Sequence, residues 1–109
     1  MKLIKSIVRP NKVDEVKDAL SKLNVSGVTV TEVRGHGKQK GHTAIYRGQE
    51  YNVSLLPKME IEVVVADAVA DDVVKAIVTA ARTGEIGDGR VFVLPVLESY
   101  RIRTGEKES

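Results

Sequence analysis

Met59-Glu-Ile-Glu-Val-Val-Val-Ala66 followed by Asp67-Ala-Val-Ala-Asp-Asp-Val-Val-Lys-Ala-Ile-Val-Thr-Ala-Ala-Arg-Thr-Gly84 is the stretch that decides the fold. Its first half is rich in β-branched residues and reads as a strand. Its second half places Val69, Val73, Ala76, Ile77 and Ala80 on one helical stripe, predicting a helix from about Ala68 to Arg82. The same plan occurs earlier at an offset of 57 residues. Ile4, Ile7 and Val8 correspond to Ile61, Val64 and Val65, and Asp14, Val16, Ala19, Leu20 and Gly27 correspond to Asp71, Val73, Ala76, Ile77 and Gly84. Duplication and a merely shared strand–helix plan both give the same architecture.

In the first half, Lys2 to Arg9 reads as a strand closed by Pro10, which holds Arg9 extended and cannot donate to a ladder. Asn11 is the expected helix cap, with Val13, Val16, Ala19, Leu20 and Leu23 on the face behind it. Gly27 and Gly84 follow the two helices where the chain must reverse. Val28 to Arg34 and Val91 to Leu97 supply a second strand to each half, Pro95 marking an edge or a strand end. Strand–helix–strand, twice, predicts an α+β fold: one antiparallel sheet with both helices on one face, the ferredoxin-like double βαβ sandwich. Apolar residues also occur on the opposite side of these strands, so that face is expected to be buried against another subunit.

The chain has 109 residues, enough for one domain, taken as 1–109. Its 17 Lys and Arg against 15 Asp and Glu leave a formal charge of +2, so the sequence pI of about 8.9 comes from a near-cancellation and not from a basic tail. With 42% apolar and 29% charged residues it has the balance of a folded soluble domain. The absence of cysteine excludes disulfides, thiolate metal sites and a cysteine nucleophile. No apolar run approaches the roughly 18 residues of a membrane span and no signal-peptide plan is present, so a cytoplasmic protein without membrane insertion is expected. RNA recognition on such a sheet needs stacking aromatics on its middle strands. One Phe and three Tyr, mostly in loops or near the C-terminus, do not provide them, and no direct nucleic-acid binding is expected.

Seven of the nine glycines fall in two loops, which concentrates attention there. The first runs from about Gly35 to Leu56, and a structureless stretch of about 20 residues in a compact domain is usually functional. The second, Thr83-Gly-Glu-Ile-Gly-Asp-Gly-Arg90, sets Gly84, Gly87 and Gly89 beside Arg90. Closely spaced glycines let backbone N–H groups converge on an anion, although the same residues suit a plain helix-to-strand turn. The Walker A spacing is absent. His36 and His42 lack carboxylates at zinc-ligand spacing, and no nucleophile elbow occurs. The C-terminus from Tyr100 is polar and expected to be mobile beyond Arg103.

Gly35-His-Gly-Lys-Gln-Lys-Gly-His-Thr-Ala-Ile-Tyr-Arg-Gly-Gln-Glu-Tyr51 with Leu56-Pro-Lys58 resembles the T-loop of the PII nitrogen-regulatory signal transduction proteins. Thr83 to Val93 is similar to their B-loop, and Arg101-Ile-Arg-Thr-Gly-Glu106 to their C-terminal loop. The resemblance covers nearly the whole chain, with the T-loop at about 36–55, the B-loop at about 83–90 and the C-terminal loop at about 100–109. It implies a homotrimer with nucleotide sites between subunits, binding ATP or ADP competitively and, with Mg²⁺ and ATP, 2-oxoglutarate. Gly87, Asp88, Gly89 and Arg90 match the phosphate-binding turn, and Arg101 and Arg103 match arginines that reach the phosphates from a neighbouring edge. Thr29, Glu62 and Val64 match positions around the adenosine, and Gly37, Lys38 and Gln39 the start of the T-loop. By the same resemblance Gln39 joins the Mg²⁺ shell, Lys58 pairs with the distal carboxylate of 2-oxoglutarate, and Lys40, Gly41 and Gly87 complete that site. Lys38 stands where Arg is frequent, exchanging a bidentate fork for a point charge, and Arg90 stands where Lys is frequent. His36 replaces a common aromatic.

Tyr51, in a polar segment read as the loop tip, matches the tyrosine nucleotidylylated in some members. Arg47 matches the residue that enters the pore of an ammonium transporter. The implied function is a non-enzymatic sensor regulating nitrogen assimilation through T-loop contacts with such a transporter, which would recruit it to the membrane, or with nitrogen-metabolism enzymes and regulators. The competing class is an enzyme, a phosphate-binding ferredoxin-like trimer with slow ATPase or phosphoryl-transfer activity. Glu85 and Asp88 are its only candidate bases in the glycine loops. A trimer without ligands is a third reading, which leaves the loops and arginines unexplained.

Overall fold

A computed structural model describes the chain except for residues 26, 36–42, 47–48, 53–55 and 109, with 43–46 and 49–52 described by backbone alone. Strand β1 (Lys2–Val8) leads through a 3-10 turn (Pro10–Lys12) into α1 (Val13–Lys22) and β2 (Val28–Gly35). A hairpin of β3 (Thr43–Tyr46) and β4 (Gln49–Asn52) precedes β5 (Leu56–Val65), α2 (Asp67–Ala81) and β6 (Gly89–Pro95). Two short strands, β7 (Ser99–Tyr100) and β8 (Lys107–Glu108), pair at the C-terminus.

The main sheet has the order β2-β5-β1-β6 and is antiparallel throughout, the ferredoxin-like α+β arrangement expected from the two halves. Alternation sorts the residues. Ile4, Ser6 and Val8 of β1 and Ile61, Val63 and Val65 of β5 point inward, onto Val16 and Leu20 of α1 and Val73 and Ile77 of α2. The buried Ser6 hydroxyl donates to the Ile61 carbonyl at 3.3 Å, so its polar atom is not orphaned. Pro95 ends β6, an edge strand, as its missing N–H requires.

The other sheet face is set by register. Leu3 lies between Val64 and Leu94, Lys5 between Glu62 and Phe92, and Ile7 between Glu60 and Arg90. Val64, Phe92 and Leu94 are 47%, 44% and 40% exposed, so the uncovered apolar face read from the sequence is present. Lys5 Nζ and a Glu60 carboxylate oxygen, 3.1 Å apart, form an ion pair on the same face.

Several local expectations are corrected. Asn11 lies inside the 3-10 turn, whose N-cap is Arg9, and no side chain caps α1. Asn24, at φ +60°, rather than Gly27, takes the left-handed conformation that reverses the chain after α1. On α2 the buried stripe is Ala70, Val73, Ile77 and Ala81, and Val69 is exposed. Of the expected stripe, Val73 and Ile77 are buried and Ala80 packs against the core, while Ala70 and Ala81 replace Val69 and Ala76. The 35–56 loop contains the β3–β4 hairpin, and Tyr51 stands in β4 opposite Ala44 rather than at the tip. Beyond Arg103 the chain folds back, with Gly105 N–H donating to the Arg101 carbonyl at 2.7 Å and Arg101 N–H to the Glu106 carbonyl at 2.9 Å.

Candidate functional site

The turn between α2 and β6 is built around one carboxylate. Asp88 accepts hydrogen bonds from the Thr83 hydroxyl at 2.5 Å, the Thr83 N–H at 2.8 Å and the Gly84 N–H at 2.9 Å. Arg9, just past the end of β1, adds its Nε at 3.1 Å. The Thr83 hydroxyl first, then the two N–H groups and the Arg9 guanidinium, hold this carboxyl far below the usual carboxylate range against the opposing effect of burial. Gly84, Gly87 and Gly89 all take positive φ. At Gly89 the requirement is absolute, because a Cβ would sit 1.7 Å from the Ile7 carbonyl oxygen where β6 begins against β1.

Two cations hold the turn from behind. An Arg9 Nη donates to the Ile86 carbonyl at 2.9 Å, and Lys58 Nζ donates to the Gly87 carbonyl at 2.6 Å. Partial burial lowers the Lys58 pKa, helped by neighbouring Arg9 and opposed by Asp88. Lys58 sits near the start of β5, where the chain returns from the long loop, so loop and turn share one hydrogen bond.

Thr29, Glu62 and Val64 come together at a second place. Thr29 lies directly opposite Glu62 across β2 and β5, and with Leu3, Gly27 and Val63 they line a cleft of about 270 Å³. No residue of the 83–90 turn lines it. Arg101 and Arg103 form a third group on the C-terminal hairpin. Arg101 Nε meets Glu108 at 2.5 Å, while Ser99 Oγ donates to the same carboxylate at 3.2 Å, and Arg103 is exposed. Gly37, Lys38, Gln39, Lys40, Gly41 and Arg47 lie outside the described residues.

Among the described residues, one chain thus brings Lys58 to Gly87 and gathers Thr29, Glu62 and Val64 around one cleft. Both Asp88 carboxylate oxygens are engaged, by Thr83, Gly84 and Arg9. Arg9 and Thr83 were missed by sequence reasoning. Only the pairing of Val8 with Gly89 sets Arg9 beside Asp88, 79 residues away along the chain.

The family model described as nitrogen regulatory protein P-II matches residues 1–106. A nitrogen regulatory protein P-II of Rhizobium etli is 53% identical over 109 residues, spanning 100% of this chain and 97% of the relative. Relatives of the same name from Azospirillum brasilense and Rhizobium meliloti are 56% identical over 107 residues and 57% identical over 106. These matches cover 98% and 97% of this chain, and 96% and 95% of the respective relatives. No helix among the described residues is long and apolar enough to cross a membrane. Matched almost from end to end at more than half identity, and carrying the fold that its two halves predict, the chain belongs to the nitrogen regulatory protein P-II family.

Proposed function

We propose that this protein is a homotrimeric sensor of ATP, ADP and 2-oxoglutarate that regulates nitrogen assimilation by presenting its T-loop to target proteins. The observation that carries the reading is the Lys58–Gly87 hydrogen bond, which ties the base of the T-loop to the glycine turn. A nucleotide on that turn, or an acid that draws Lys58 away from Gly87, is felt at the root of the loop. Such a ligand selects a loop state to the extent that it binds the states unequally. Thr29, Glu62 and Val64 would hold the adenosine, Gly87 to Arg90 the phosphates, and Arg101 and Arg103 would reach across from a neighbouring subunit. Lys38 and Gln39 would meet the phosphates and Mg²⁺, with Gln39, Lys40, Gly41, Lys58 and Gly87 around 2-oxoglutarate. Arg47 and Tyr51 would be points of partner contact or modification. The targets would be an ammonium transporter, recruiting a cytoplasmic protein to the membrane, or nitrogen-metabolism enzymes and regulators. Against the enzyme reading stand the regulatory names of the relatives and, for Asp88, the donors around it, which make it a poor general base.

Calorimetric titration of 2-oxoglutarate into ligand-free, ADP-bound and Mg-ATP-bound protein tests the proposal. Binding is expected with Mg-ATP alone, because the γ-phosphate completes the metal shell. Linkage then requires 2-oxoglutarate to tighten ATP by the same factor, typically about 5–150-fold. Lys58→Ala should lose the diacid. Equal binding in all three states overturns the shared-metal mechanism, and rapid phosphate release at saturating Mg-ATP overturns the sensor in favour of an enzyme.

A further inference from the structure

Arg9 and Lys58 both contact carbonyls of the glycine turn, and a planar trans peptide carries its N–H opposite its C=O. All peptide bonds described here are trans. With the Ile86 carbonyl drawn to Arg9, the Gly87 N–H points away from that guanidinium. With the Gly87 carbonyl drawn to Lys58, the Asp88 N–H points away from that ammonium. Each of these two successive N–H groups therefore points away from the cation that holds its own peptide's carbonyl, and backbone N–H groups in such glycine turns are the donors that anions use. Neither has a partner among the described residues.

Arg9 has a second task here. A carboxylate next to a phosphate site would repel the ligand, yet Asp88 is needed to close the turn through Thr83 and Gly84. The Arg9 Nε on Asp88 offsets that charge while an Nη of the same guanidinium holds Ile86. A two-pronged planar cation does both; a lysine at this position supplies a single point charge.

We propose that Arg9 is a positioning residue for nucleotide phosphate: it touches no ligand, but fixes the turn so that the Gly87 and Asp88 amides present themselves to the phosphates with the Asp88 charge neutralised. This deepens the nucleotide reading and rests on it. The test is calorimetric titration of the full-length protein with ATP and, separately, with adenosine, for wild type, Arg9→Ala, Arg9→Lys, Asp88→Asn and the Arg9→Ala/Asp88→Asn double variant. Arg9→Ala should weaken ATP about tenfold or more, as losing charge-assisted hydrogen bonds predicts. Arg9→Lys should fall between it and wild type. Adenosine affinity should stay within about twofold, and the double variant should lose less than the two single losses combined. Unchanged ATP affinity in Arg9→Ala, equal losses for ATP and adenosine, or strict additivity each overturns the inference. Wild-type protein that binds no ATP overturns the nucleotide reading itself, a different failure. If Arg9→Ala does not fold, the comparison of Arg9→Lys with wild type decides.

Discussion

Asp88 is the residue on which the glycine turn closes, and its ionisation is an energetic property of the fold. The Thr83 hydroxyl, the Thr83 and Gly84 N–H groups and Arg9 favour the charged form, so the folded pKa lies below the unfolded value of about 3.9. Stability from this site is therefore complete above that value and is lost as pH falls below it toward the folded pKa. Asp88→Asn should melt below wild type at neutral pH, with the gap narrowing as pH drops through about 4. Thermal unfolding across that range checks it, and a constant gap would mean that the lock is not electrostatic. Gly89→Ala is a harsher change, since its Cβ would overlap the Ile7 carbonyl at a positive φ. A loss of about 2 kcal/mol or more is expected, read by denaturant unfolding. The glycines of this turn were legible in composition, and so was their suitability for an anion. Arg9 was not, because its role depends on a strand register that no local pattern encodes.

At the scale of elements, the two helices and four main strands follow from periodicity, while their ends follow from chemistry that periodicity misses. Pro10 promotes a 3-10 turn ahead of α1, which removes Asn11 from the cap that its side chain suits. The reversal after α1 falls to Asn24, whose N–H donates to the Ser21 carbonyl at 3.0 Å. A β-branched residue resists that left-handed conformation. Asn24→Val should cost roughly 1–2 kcal/mol and Asn24→Gly should be nearly neutral, a contrast measurable by thermal unfolding of the two variants. Similar losses in both would assign the effect to the Asn side chain instead of the backbone. The T-loop shows the opposite bias. Its glycines and polar residues read as irregular chain, yet Thr43–Tyr46 and Gln49–Asn52 pair as a hairpin. Backbone pairing there needs no strong alternation, so the sequence signal is weak.

For the whole molecule, the uncovered face is where assembly is expected. Leu3, Val64, Phe92 and Leu94 share it, in a chain small enough that its own core leaves little surplus stability. Sedimentation equilibrium should report about three times 11.9 kDa; a monomer at micromolar concentration would remove the basis for sites between subunits. Val64→Asp should shift the mass toward monomer by placing a charge on that apolar face. Within a trimer, Arg103→Ala should weaken ATP by about one order of magnitude while the mass stays unchanged. Arg101 is held on Glu108 through its Nε alone, which leaves its Nη groups outside that pair. Unaltered ATP affinity in Arg103→Ala would remove the C-terminal arginines from the site.

By itself the sequence determined the α+β class, the doubled strand–helix–strand plan, the apolar second face and the positions of the glycine loops. These properties are written in local periodicity and backbone permissiveness, which act over a few residues. Only the tertiary structure decided that Arg9 closes on Asp88, that Lys58 rests on Gly87, and that the adenosine candidates line one cleft. Those relations come from strand register and the packing of the turn against it. A single change of register moves side chains to the other face, and contacts across 79 residues leave no mark on the local pattern.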